Sequence, residues 1–247
     1  MGSDGDADRE ERSGPGASSR GALSRELIIE TAIDFVDRHG LTALTMRRLG
    51  KQLGVEAMAL YRYVNGREDL LEGIVDRMVA ELHLGRDHEE LHPTTGWQAY
   101  LQWLAHAVRT LAREHPNVFP LIATRHPAAP WLRPPLRSLR VVEDFLSTLS
   151  SRGFSDANAV VAYRAFSSFL LGYLLLEASV LGAGSSPPDE PLDEGDSDVP
   201  NADGELDLNR FPHIRRLEVQ LSEDHAGAEF EQALEDLLDR LDRFLTE

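Results

Sequence analysis

The sequence predicts an all-α protein with a small N-terminal helical unit and a larger helical body. Apolar residues recur at three- and four-residue spacing through most of the chain, as amphipathic helices require. No run alternates apolar and polar residues between hairpin turns, so strands are not expected. Polar stretches rich in Pro, Gly, Ser and acid interrupt the helical pattern and divide the chain. The 247 residues suffice for one helical body or two small domains, with a sizeable core.

Residues 1–22, beginning "MGSDGDADREERSGPGASSRG", form an arm expected to be disordered. The arm has no apolar core of the kind a secretory signal needs. Cysteine is absent, which removes thiolate ligands and nucleophiles and fits a reducing, cytoplasmic setting. The formal net charge is −17. A whole-surface affinity for nucleic acid is thereby excluded, but a local basic patch is not.

The first helix is expected over about 24–39. Ser24 is the N-cap, Gly40 ends it, and Ile28, Ala32, Phe35 and His39 share one stripe. Three short pieces follow. Thr45 can cap "MRRLGKQL", which stops at Gly54; "AMALYRYV" covers 57–64; "NGREDLLEGIVDRMVAELH" opens with a turn dipeptide and runs to about residue 83. Leu49, Leu53, Val55, Leu60, Val64, Leu70, Leu71 and Ile74 supply a shared core, so 23–83 is expected to be one compact unit.

Beyond a polar joint, helices are expected over about 95–114, 133–152 and 155–181 within a second unit, 84–247. The run "AFSSFLLGYLLLEASVLG" is apolar but broken by Glu177. Its uninterrupted part falls short of the ~20 residues a bilayer span needs, so a buried helix is the reading. Residues 183–208 are acidic and rich in Pro and Gly, and are expected to be a disordered loop acting as a tether. Helices resume over 209–221 and 226–245. In the last, Phe230, Leu234, Leu237, Leu238, Leu241, Phe244 and Leu245 form a stripe that needs a partner surface.

The stretch "LTMRRLGKQLGVEAMALYRYVNGREDLL" concentrates positive charge in an acidic chain. Helix, tight turn at Gly54 and second short helix make helix-turn-helix geometry, whose second helix enters the major groove. With Leu60 and Val64 facing the core, Ala57, Met58, Ala59, Tyr61, Arg62 and Tyr63 remain for reading. Arg62 can hold guanine through two hydrogen bonds. The Tyr61 and Tyr63 hydroxyls can reach phosphates, and Thr45, Arg47, Arg48 and Arg67 stand at flanking helix starts.

Residues 24–83 resemble the DNA-binding domain of the tetracycline-repressor (TetR) family. The resemblance lies in the helix ending at Gly40, then "LT..RLGKQLGV", "LYRYV" and "REDLL", in the family's order and spacing. The remainder looks like the family's C-terminal domain, with a long polar loop before the final two helices. The resemblance implies a DNA-contacting start of the second helix at Thr45, Met46 and Arg47. It implies a reading surface of Ala57, Met58, Ala59, Tyr61, Arg62 and Tyr63, and a phosphate contact at Arg67. The chain departs at Met58, where the family often has a smaller residue, and at Gly66, which replaces a capping side chain.

It also implies a ligand-responsive regulator, a repressor by family default, that binds palindromic double-stranded operator DNA as a homodimer. The dimer would form through helices about 155–181 and 227–246, and a small-molecule effector would release the DNA by population shift. No cofactor is implied. The effector pocket would draw on Trp97, Tyr100, Trp103, His106, Arg109, Phe119, Trp131, Phe145, Tyr163, Phe166 and Tyr173.

His83, His88 and His92 raise a zinc question. Their short polar setting between Gly85 and Pro93 reads instead as a solvated joint. None of the motifs GxSxG, HExxH, P-loop or glycine-rich dinucleotide turn occurs, so an enzyme is not expected.

Overall fold

A computed structural model describes residues 22–84, 96–181 and 210–246. The N-terminal arm, the 85–95 joint and the 183–208 loop lie outside the described residues, as do His88, His92 and the His83 side chain. All regular structure among the described residues is helical.

The head comprises α1 (Arg25–His39), α2 (Met46–Leu53), α3 (Ala57–Leu60) and α4 (Arg67–Leu84), with a 3-10 turn at Leu41–Ala43. The Ser24 hydroxyl accepts from the Leu27 amide at 3.1 Å and starts α1. Gly40, at φ 76°, ends it. Ile28, Ala32 and Val36 are wholly buried against α2 and α4. The reading segment is shorter than its periodicity predicts. Regular helix ends at Leu60, and residues 61–63 continue as turns, with the Val64 amide bonded to the Leu60 carbonyl.

The body comprises α5 (Trp97–Glu114), α6 (Phe119–Ile122), α7 (Leu139–Ser151), α8 (Asp156–Val180), α9 (Pro212–Ser222) and α10 (Ala226–Thr246). At its centre α8 packs against α5, α6, α7 and α10. That role explains a composition apolar enough for a membrane span. The helix expected from 133 starts instead at Leu139, capped by Ser138. Pro134 and Pro135 are the cause, since each lacks an amide hydrogen and biases its predecessor away from helix.

The stripe on α10 meets its own chain. Phe230, Leu234, Leu238 and Leu241 are buried against the body, and Leu237 is partly buried. Within α9 no residue is buried. One continuous core runs from head to body through α4, which packs on both α1 and α5.

Candidate nucleic-acid interface and ligand cavity

Thr45 caps α2 by accepting from the Arg48 amide at 3.2 Å. Gly54 reverses the chain in the left-handed region, at φ 72°. The Val55 amide then reaches back to the Gly50 carbonyl at 2.9 Å. Gly50 permits that approach. A Cβ there would stand 2.9 Å from the Val55 carbonyl oxygen and 3.2 Å from the Ala57 nitrogen.

This turn presents one exposed surface. Thr45, Arg47 and Arg48 are exposed at the start of α2, with Met46 half-buried beside them. On and after α3, Met58, Tyr61, Arg62 and Tyr63 are exposed, and Ala57 and Ala59 are half-buried. Met58 is 74% exposed. Arg67 follows, exposed, at the start of α4.

Seven arginines lie within 22–84, and they divide by partner. Arg25, Arg38 and Arg77 are ion-paired with Asp69, Asp34 and Glu30 respectively. Arg47, Arg48, Arg62 and Arg67 have no carboxylate partner among the described residues. All four flank the turn. Lys51 and Gln52, which the sequence reading passed over, border a surface groove with Arg48, Phe35, His39 and Ala43. That the chain's single lysine falls inside the helix-turn-helix stretch was the signal available for it.

The end of this exposed surface is held by a polar clasp. Arg25 donates two bonds to the Asp69 carboxylate, at 2.6 and 3.0 Å, and one to the Tyr63 carbonyl at 3.1 Å. The Asn65 amide also donates to Asp69, at 2.7 Å. The Arg25 guanidinium, then the Asn65 amide, hold the Asp69 carboxyl below the usual carboxylate range.

A second feature is a cavity between α4, α5, α7 and α8. Its volume is about 50 Å3, below the size range of drug-sized ligand sites as it stands. Its walls are Val79 and Leu82 of α4, Leu104, Val108 and Leu111 of α5, and Ile122. Opposite them stand Leu136, Ser138, Val141 and Phe145, then Tyr163, Phe166, Ser167, Leu170 and Leu171 of α8. Only three hydroxyls interrupt this apolar lining, and no charged side chain does. The Tyr163 hydroxyl donates to the Pro134 carbonyl at 3.0 Å, and burial pushes its pKa up.

Of the eleven pocket residues expected from sequence, Phe145, Tyr163 and Phe166 line the cavity. Trp97 is buried edge-on against Phe154, Tyr100 is buried against Trp103, and Phe119 is fully buried in the core. Trp103 and His106 border an outer groove with Leu82 and Leu111. Arg109 and Tyr173 belong to a separate cluster. Arg109 grips Glu177 at 2.9 and 3.0 Å and lies 4.4 Å over the Phe230 ring. Both Arg109 and Tyr173 donate to the Ala226 carbonyl and tie down the start of α10. Trp131 is 73% exposed on the proline-rich loop after α6.

The aliphatic walls carry no local signal. A leucine facing a cavity and a leucine facing the core look alike in sequence.

A helix-turn-helix head joined by one helix to a body with an internal apolar cavity defines a ligand-responsive transcriptional regulator. Two family models match the chain: "Bacterial regulatory proteins, tetR family" over residues 28–74, and "Tetracyclin repressor-like, C-terminal domain" over residues 91–244. The chain belongs to the TetR family, whose members are regulators rather than enzymes.

It is 27% identical to the transcriptional repressor DrrR1 of Streptomyces coeruleorubidus, over 92% of this chain and 80% of that one. Against the class D tetracycline repressor of Escherichia coli it is 29% identical, over 81% and 91% of the two chains. A solved structure described as a possible TetR family regulator from Streptomyces coelicolor A3(2) superposes with a TM-score of 0.66. It is 29% identical and is covered to 99%, against 89% of this chain.

Proposed function

We propose that the chain binds a palindromic operator as a homodimer and is released by an uncharged, largely apolar effector held in the cavity. The exposed surface around Gly54 carries this reading. Four arginines without a carboxylate partner, the tyrosine pair Tyr61 and Tyr63 and an exposed methionine stand together there, and all suit phosphate and groove contacts. The relatives named above are repressors, which favours repression as the mode of action.

The dimer reading rests on α8. Ala165 and Phe169 are half-covered, and Gly172, Leu176 and Val180 are exposed, at three- and four-residue steps along one face. Leu176 is 72% and Val180 87% exposed. Gly172 has open space above it, which permits close approach of a second helix. A two-fold pairing of these faces buries them and sets two reading heads side by side.

Effector chemistry follows from the lining. Hydrocarbon walls with Ser138, Tyr163 and Ser167 as the only polar side chains suit a molecule without net charge that carries a few hydrogen-bonding groups.

The test is selection of bound sequences from random duplex DNA at a stated salt concentration. A palindrome with half-sites about one turn apart, ~34 Å, is the expected result. Folded, dimeric protein that enriches no sequence would overturn the reading.

A further inference from the structure

We propose that Arg137 is a positioning residue that couples the cavity to the DNA-reading head, acting as a latch on the start of α4. The proposal rests on the functional reading above and specifies how that site is regulated.

Arg137 belongs to the segment between α6 and α7, and its side chain is 5% exposed. One guanidinium nitrogen donates at 2.9 Å to Glu68 and at 2.9 Å to Glu72. These carboxylates lie on successive turns of α4. The Arg137 Nε is buried with no partner. The guanidinium is therefore held by two groups of the head and incompletely satisfied by its own domain.

The backbone around Arg137 is cavity wall. Leu136 and Ser138, its two neighbours, both line the cavity. The Arg137 amide donates at 3.0 Å to the carbonyl of Ile122, a third lining residue. The Arg137 backbone is thus fixed to the wall on both sides, and its guanidinium is fixed to α4. At about 50 Å3, the cavity must widen to admit a molecule of drug-like size. Widening at this wall displaces Arg137.

On the other side of the latch, Glu68 precedes Asp69, the centre of the clasp. Asp69 holds Arg25 and the Asn65 amide, and Arg25 holds the Tyr63 carbonyl. A shift of the first α4 turn therefore reaches the reading surface within a few residues. His126 Nε2 also faces Glu72, at 3.6 Å, on the latch side. On release the Glu68 side chain, 66% exposed, returns to water, while Glu72, 32% exposed, still faces His126. At a separate place His115 Nδ1 pairs with Asp37 at 2.6 Å, and the Asn117 side-chain amide donates to the Asp37 carbonyl at 2.9 Å. None of these three residues lines the cavity, so that contact stays in place while the latch moves.

A double-mutant cycle on the selected operator tests the coupling without needing the natural effector. Ser167→Phe puts bulk into the cavity in place of a ligand, and Arg137→Gln opens the latch. Each is expected to weaken operator binding by about tenfold, within the usual range of allosteric coupling. Together they should also cost about tenfold, because both act through one step. Inserting one base pair between half-sites should penalise Arg137→Gln less than wild type. A merely structural role would lower both affinities alike. Glu68→Gln with Glu72→Gln should reproduce Arg137→Gln from the other side.

Thermal melts certify folding, and Ser167→Leu replaces Ser167→Phe if the latter does not fold. Wild-type affinity and spacing preference in Arg137→Gln would overturn the proposal. So would an unchanged affinity in Ser167→Phe, or a combined loss near a hundredfold. Failure of wild type to select any operator is a separate result, which removes the functional reading itself.

Discussion

At the scale of single residues, the arginines of the head separate by what they touch. Those on the outer faces of α1 and α4 are paired, and their charge is spent within the fold. Those around the turn are free for an external anion. Arg62→Ala is expected to weaken specific binding by about 1–3 kcal/mol and blur one operator position, measured by titration on single-base operator variants. Unchanged affinity and preference would remove Arg62 from the groove. Asp69 behaves differently. Its pKa is lowered in the folded state, so its contribution is complete above the usual carboxylate value and disappears as pH falls through the folded one. Asp69→Asn should cost about 1–2 kcal/mol at pH 7, a figure reduced for partial exposure. That gap should begin to close below about pH 4 in urea melts of the two proteins. A gap that does not narrow at all as pH falls below 4 would mean the carboxylate charge is not what matters.

At the scale of elements, the α2–α3 pair depends on backbone meeting backbone at Gly50. A methyl group there has no flexible side chain to push aside. Gly50→Ala is expected to destabilise the protein by about 1–3 kcal/mol and to lose operator binding out of proportion, since α3 must move. A variant with wild-type melting and binding would show that the turn tolerates repositioning. The same scale explains why the α10 stripe is not free. Its large residues are consumed by α5 and α8 of the same chain, so a charge at Leu238 would test folding rather than assembly. The apolar face left over belongs to α8.

At the scale of the whole molecule, that face is the one the proposed dimer would bury to hold two heads at a fixed distance. Leu176→Arg adds charge to a position 72% exposed in one chain, so the subunit fold should survive. The expected outcome is a monomer by light scattering that no longer prefers the full palindrome over a half-site. A dimer that persists would place the interface elsewhere. Among the described residues, Arg137 and His126 meet α4 at Glu68 and Glu72, and His115 and Asn117 meet α1 at Asp37. Such an arrangement suits a small rotation of the head rather than its detachment.

Much of the head was legible in the sequence because its determinants are local. Ser24 and Thr45 cap the helices that follow them, and Gly40 and Gly54 take backbone angles that other residues resist. The exposed residues of the reading surface were those left after Leu60 and Val64 went inward. The body was legible as helices and little more. The proline pair at 134–135 should have shortened α7, but helical periodicity outweighed it in the reading. Cavity walls could not be identified, because hydrophobicity and spacing state that a leucine is buried and not which neighbours leave a gap beside it. The Arg137 latch joins residues 65 and 69 positions apart. By itself the sequence determined a helix-turn-helix head on a helical body, through caps, turns and periodicity that act within a few residues. Only the tertiary structure decided where the cavity lies, which arginines are free, and how the cavity wall touches α4. Those depend on packing between distant segments, which no local pattern encodes.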